Sequence, residues 1–441
     1  MYKTMKCRVE PMIDAIFKTT QPYLRCGYVK HIYGNIIEAS CPPQSIVGDI
    51  CRIKSIHHED LLAEIIGFND NKAILMPYSS SYGVMVGARI TICDHANKIQ
   101  VSDALLGQVV DAFAKPLTND VLISGQSIST QISAINPVLR QPINERLATG
   151  IAVIDSLMTL GKGQRIGIFA GSGVGKSTLL NMIAQHCQQQ ICVIALIGER
   201  GREVHDFLNT LSDDKHQHIV TVVATSDQSA LLRKQAAYTA TAIAQYFAQQ
   251  GHDVLLMMDS ITRLAMAQRE IGLAIGEMPT ARGYTASTFS ILPQLLECCG
   301  RFKEQGSISA IYTILVEGDD LNEPIADYMR ASLDGHIVLN RELAHSGQYP
   351  AIDILKSTSR LFHQLTDPEI QTLVHQLKAQ YQLVHKYQDM IALGAYTQGS
   401  NPTLDTAIQK VQALNRLFAQ TADQSMIYDQ VIIQIKSILK D

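Results

Sequence analysis

The sequence predicts an α/β fold in three parts: a small N-terminal β-barrel, a largely parallel α/β domain and a helical C-terminal domain. Three observations carry this reading. Short, evenly spaced strand patterns run to about residue 101. Apolar strand-like runs then alternate with helical patterns. After Arg360 the apolar residues recur at helical spacing. The implied boundaries are a terminal segment 1–20, a barrel 21–101, an α/β domain 102–365 and helices 366–441. A chain of 441 residues is long enough for several domains and a sizeable core.

In the first segment, Val9, Met12, Ile13, Ile16 and Phe17 fall on one helical face, Lys3, Lys6, Arg8 and Lys18 make it basic, and Pro22 ends it. Such a stripe either packs on its own protein or meets a partner or membrane surface, and the residues leave both open. The barrel strands are RCGYVKHIY, NIIEA, IVGDICRI, LLAEIIGF, KAILM and RITIC, broken by glycine and polar residues. His57, His58, Glu59 and Asp60 are adjacent, so on a strand they would point to opposite faces; they read as a solvated turn, not a metal site. Residues 114–145, rich in Ser, Gln, Asn and Pro, read as a long connection. The sheet follows in RIGIFA, ICVIALI, IVTVVAT, VLLMMD, SISAIYTILV and HIVL. Thr366-Asp367-Pro368-Glu369 opens a helix with Ile370, Leu373, Val374, Leu377 and Tyr381 on one face. Asn401-Pro402 opens a second, and Val431, Ile432, Ile435 and Leu439 mark a last one.

The net charge of −4 argues against a general nucleic-acid binder. Nine scattered cysteines with no C-x-x-C pair imply reduced thiols and no zinc site. No apolar run is long enough to span a bilayer, and the N-terminus lacks a signal-peptide pattern. The expectation is a cytoplasmic protein whose membrane contact is peripheral.

The chemistry begins at Ala170-Gly171-Ser172-Gly173-Val174-Gly175-Lys176-Ser177-Thr178, which fits a P-loop with Ala for the first Gly. It follows the strand RIGIFA and precedes the helix TLLNMIAQ, where backbone N–H groups and a helix N-terminus can cradle phosphates. Lys176 is expected to reach the β/γ-phosphates of ATP and Ser177 to ligate Mg²⁺. VLLMMD delivers Asp259 at a strand end, either to hold Mg²⁺ or to cap the next helix. Glu199 lies just past ICVIALI, on the P-loop edge if the sheet is parallel. A carboxylate there can take a proton from an attacking water, or it is a surface ion pair.

The stretches LIGERGREVHDFL, ATSDQSALLRKQAAYTATAIAQYF, DSITRLAMAQREIGLAIGEMPTARGYTAS, EGDDLNEPIAD, LDGHIVLNREL and YPAIDILKSTSR resemble the type III protein export ATPases. These are relatives of the catalytic and non-catalytic subunits of rotary ATP synthases. The resemblance runs from about residue 25 to the end. It implies a RecA-like P-loop ATPase core, with the barrel and the helical domain on either side in sequence, and a homohexameric ring. It also implies roles: Lys176, Ser177 and Thr178 for phosphate and Mg²⁺, Glu199 as the catalytic glutamate, Arg200 and Arg263 near the phosphates. Tyr349 matches the aromatic that packs on adenine, and Arg360 the arginine finger presented to a neighbouring subunit's nucleotide.

A rotary-synthase β-subunit would carry an acid-rich turn after HKYQDMIALG, whereas this chain reads AYTQGSNPTLD. That stretch resembles the flagellar export ATPases, with the injectisome ATPases as the alternative. The implied partners are a stator or regulator protein at the N-terminal helix, a central stalk protein in the ring pore, a membrane export gate and chaperone–substrate complexes. Association with the inner membrane would be peripheral. QVVDAFAKPL departs from the family, which usually carries glycine before Pro-Leu. A hexameric nucleic-acid translocase is the remote alternative, but the barrel's Tyr28, Tyr33 and Phe68 lack a basic stacking platform. A non-catalytic ring subunit would lack the carboxylate that Glu199 supplies.

Overall fold

The computed structural model describes residues 26–56, 59–94, 97–118, 123–132 and 136–440. The amphipathic segment 1–20 and the pair His57 and His58 lie outside the described residues. The chain forms two compact units that part between Asn97 and Lys98.

The first unit is a closed barrel of six strands: β1 (Cys26–Tyr33), β2 (Ile36–Ser40), β3 (Ile50–Ile53), β4 (Leu61–Asn69), β5 (Lys72–Pro77) and β6 (Arg89–Asp94). They close in the order β1-β2-β5-β4-β3-β6, every pair antiparallel. Alternate residues point inward, so Ile37 and Ala39, Ala73 and Leu75, and Ala63 and Ile65 meet in one core. Closure leaves no sheet edge free for pairing. The third strand is shorter than IVGDICRI suggested: Gly48 turns at φ 94° and the strand starts at Ile50.

The second unit begins with β7 (Lys98–Val101), a stretch the sequence reading grouped with the barrel. It pairs with β9 (Gln126–Ser129), and its Ile99 and Val101 are buried with Val110 and Ala112. Residues 114–145 are therefore more than a connection. Between β7 and β9, β8 (Val109–Val110) joins the large sheet, and Asp111 Oδ1 accepts from the N–H groups of Phe113 and Lys115. That turn puts Ala114 at φ 59°, where a glycine is easier. β10 (Arg146–Leu147) and β11 (Leu160–Gly161) form a small antiparallel pair.

The large sheet contains β12 (Arg165–Ala170), β13 (Ile191–Ile197), β14 (Ile219–Ala224), β15 (Val254–Asp259), β17 (Ser307–Leu315), β18 (Gly335–Val338) and β19 (Thr358–Ser359), with β16 (Gly300–Arg301) hanging antiparallel on β17. Its order is β19-β18-β12-β17-β15-β13-β14-β8, parallel from β18 to β8, with β19 antiparallel at the edge. Both faces are covered, which explains the unbroken apolar runs. Ile166, Ile168, Ile194, Leu196 and Met257 face the helix Lys176–His186 and the C-terminal helices. Phe169, Val193, Ala195, Leu256 and Tyr312 face the helices Ala230–Gln249, Ile261–Ala274 and Ala286–Leu296.

The C-terminal helices are Pro368–Lys386, Gln388–Ala392, Pro402–Phe418 and Tyr428–Lys440. Leu377, Leu414 and Ile435 bury themselves in the core of the Lys176–His186 face. Asn401 caps its helix by accepting from the Leu404 N–H at 3.2 Å. No described helix is long and apolar enough to cross a membrane.

Candidate functional site

A parallel sheet delivers the carboxyl ends of its strands to one edge, and here four neighbouring strands converge there. β12 runs into the loop 171–175, whose Gly173 and Gly175 adopt φ 76° and 91°. A side chain is strained in that conformation, so glycine keeps the backbone N–H groups turned inward. Lys176 then begins its helix. β13 delivers Glu199, β15 delivers Asp259, and β17, which lies between β12 and β15, delivers Thr313.

These side chains meet. Lys176 Nζ donates to Asp259 Oδ1 and sits 3.4 Å from Glu199 Oε1. Thr313 Oγ1 donates to the same Asp259 oxygen at 2.7 Å. Ser260 caps the helix Ile261–Ala274 and places Arg263 on its first turn, with Nε 3.7 Å from Glu199 Oε1. The arginine stem crosses over Gly198, where a Cβ would come within 2.5 Å of Arg263 Cδ. Glycine is thus required there by close approach as well as by its φ of 70°. Glu199 and Asp259 are 6% and 4% exposed, so two carboxylates and two cations balance in a buried setting. Burial pushes the Glu199 carboxyl up from its ordinary value; Lys176 and Arg263 oppose this and Glu203 reinforces it.

Arg263 Nε is buried without a hydrogen-bond partner among the described residues. An orphaned cationic donor beside a glycine cradle fits an anionic ligand. Ser177 is exposed on the first helical turn and Asp259 ends β15 at the same edge; a hydroxyl and a carboxylate are the oxygen donors that suit a hard divalent cation. Ser172 and Thr178 are also exposed, while Val174 anchors the loop in the core.

Tyr349 joins this edge from elsewhere in the chain. A Cβ on Gly175 would lie 3.2 Å from Tyr349 Cε1, so the ring rests against the loop while staying 42% exposed. Arg200 does not enter the cluster in a single chain. It occupies the N-cap position of the helix Gly201–Thr210 without a side-chain cap bond, is exposed, and pairs with Glu203 at 3.7 Å. Arg360 lies at the other end of the sheet. β19 pairs with the start of β18, and Arg360 N bonds to Asp334 O at 2.9 Å while Nη2 donates to the Ala331 carbonyl at 3.1 Å.

Sequence reasoning missed Thr313. Its hydroxyl is one of four on β17, beside those of Ser307, Ser309 and Tyr312, so nothing in the sequence singles it out; the parallel register pairs Met258 with Tyr312 and so sets Thr313 beside Asp259. It also missed the approach of Asp319 and Arg341 to the loop: a Cβ on Gly171 would lie 2.5 Å from Asp319 Oδ1 and 2.7 Å from Arg341 Nη2. No spacing signals that contact. Among the described residues no group of three His, Cys, Asp or Glu could hold a metal, and the described cysteines are free.

Three family models match in chain order. Residues 29–93 match the beta-barrel domain of the ATP synthase alpha/beta family, and 150–359 match its nucleotide-binding domain. Residues 366–437 match the C-terminal domain of the type III secretion ATPase EscN. The flagellum-specific ATP synthase of Bacillus subtilis is 46% identical over 98% of this chain and 99% of its own. The assembled ATPase EscN of the enteropathogenic E. coli type III secretion system superposes with a TM-score of 0.88 at 41% identity, over 94% of this chain and all of that one. EscN in complex with its central stalk EscO gives 0.85 at 40% identity, with the same coverage.

Proposed function

The chain belongs to the ATP synthase alpha/beta family, in its type III export branch, and from that premise we propose that it is the ATP-hydrolysing motor of flagellar protein export. It is an ATPase of type III export, and the nucleotide site is the four-strand edge. The observation that carries the reading is the meeting of Lys176, Glu199 and Asp259 beside the glycine loop.

In this reading ATP's phosphates lie in the loop 171–178 and draw Lys176 away from the carboxylates. Mg²⁺, held by Ser177 and Asp259, would neutralise phosphate charge. Glu199 orients a water and accepts its proton; its burial makes the carboxylate a better base than one in open solvent. Arg263 turns its free Nε to the developing phosphate charge. Tyr349 stacks on the base. Arg360, at the far end of the sheet, serves a neighbouring subunit's nucleotide in a homohexameric ring, and Arg200, next to Glu199, serves near the phosphates. Such closure makes each site a joint product of two chains.

The work done would be chaperone release, unfolding and export of secreted subunits. The chain would sit in the cytoplasm against the inner membrane, with a central stalk in the pore, an export gate at the membrane and a stator protein on residues 1–20. The 41% identity to EscN supports an injectisome ATPase as the second reading. Deleting the chain in its host separates them: loss of hook and filament secretion favours the first, loss of needle secretion the second. The site itself is tested by Lys176→Ala in folded protein. Phosphate release from Mg-ATP should vanish, and near wild-type turnover would remove the assignment.

A further inference from the structure

Gln420 lies two residues beyond the helix Pro402–Phe418 and is 5% exposed, an unusual place for an amide. Every polar atom of its side chain is engaged. Oε1 accepts from the Ala152 N–H at 3.1 Å. Nε2 donates to the Gly150 carbonyl at 2.8 Å and to the Gln424 carbonyl at 2.5 Å. Its backbone N–H donates to the carbonyl of Tyr349 at 2.9 Å. One residue therefore ties together the C-terminal helices, the loop before the helix Ala152–Leu157, and the tyrosine whose ring rests on Gly175.

The surrounding bonds close the same knot. Met426 N–H also donates to the Gly150 carbonyl, at 3.0 Å. His186 Nε2, at the last residue of the helix that Lys176 begins, donates to the Ala422 carbonyl at 2.9 Å. Gly150 has no room for a side chain, since a Cβ would lie 2.6 Å from His186 Cβ and 2.8 Å from Ser425 Oγ. The segment 420–426 is thus held to Tyr349 at Gln420, to the end of the helix Lys176–His186 at Ala422, and to Gly150 at Met426.

We propose that Gln420 is a positioning residue for nucleotide binding, acting through Tyr349. It touches no nucleotide. It fixes the backbone from which the Tyr349 ring projects, and it makes that ring's placement depend on the C-terminal helices. A shift of those helices would then be felt as a change in nucleotide affinity more than in the chemical step. The inference rests on Tyr349 being the base-stacking residue.

The test is a double-mutant cycle in the full-length chain, with melting temperature recorded for each variant. Gln420→Ala should raise the KM for ATP about fivefold to tenfold, the scale of one or two lost buried hydrogen bonds, while kcat changes far less. Gln420→Glu keeps the acceptor for Ala152 but turns a carboxylate on two carbonyls, and should show the same split if the alanine variant does not fold. Tyr349→Ala should raise KM by itself, and adding Gln420→Ala should raise it little further. A folded Gln420 variant with wild-type KM, or a KM rise that adds in full to that of Tyr349→Ala, overturns the inference alone. An unchanged KM in Tyr349→Ala overturns the stacking role and the inference with it.

Discussion

Thr313 holds Asp259 from the strand that separates the phosphate-loop strand from the Asp259 strand, through a 2.7 Å bond to the oxygen that also receives Lys176. The acid is thereby fixed between a neutral and a charged donor, and its position does not depend on the lysine alone.

Thr313→Val keeps the shape and removes the donor. A hydrogen bond to a charged group contributes about 1.5–3 kcal/mol, part of which Asp259 recovers from Lys176. Turnover of Mg-ATP should fall about threefold to tenfold in a protein that still folds, and Thr313→Ser should restore it. Wild-type phosphate release from the valine variant would show that the bond plays no part in the reaction.

As the proposed base Glu199 must be ionised to act, and burial raises it above its ordinary value of 4.5. The acid limb of kcat/KM, which reports the free enzyme, should therefore lie above the ordinary carboxylate range. Arg263→Leu removes a charge that opposes the rise, so it should move the limb further up. The same shift makes the protonated Glu199 favourable to folding. That contribution is complete below the unfolded value and is lost as pH rises through the folded one. A limb at or below the ordinary value, in wild type and variant alike, would contradict the assignment.

Arg360 sits at the opposite end of the sheet from Lys176, with Nη2 donating to the Ala331 carbonyl at 3.1 Å. Arg360→Ala should bind ATP nearly as wild type and lose about 10³–10⁵ in turnover, as removal of an arginine finger does. Mixing it with Glu199→Gln protein should return part of the activity, because some interfaces then carry both intact groups. Full activity of Arg360→Ala alone would remove the residue from the site.

The architecture was legible because the local signals agree with it. Alternating apolar residues gave the barrel, unbroken apolar runs gave the doubly covered sheet, and Asn401-Pro402 marked the start of its helix. Lys176, Glu199 and Asp259 were legible because a parallel sheet brings its strand ends together whatever their separation in sequence. The boundary strand Lys98–Val101 was misassigned because its partner, Gln126–Ser129, lies in a stretch whose composition reads as loop. Ala114 hid a turn that glycine usually marks. Thr313 and Gln420 could not be found from spacing, since each acts through a tertiary contact: one across a strand register, the other across more than 260 residues to Gly150.

In the proposed mechanism Glu199 takes the proton of the attacking water at a site that binds ATP without it. Glu199→Gln tests this most directly, with nucleotide affinity and phosphate release measured on the same folded protein. The amide keeps the size and neutralises the charge. Affinity for Mg-ATP should stay within a few fold of wild type while turnover falls by about 10²–10⁴. Near wild-type turnover, or affinity lost as completely as turnover, would contradict it.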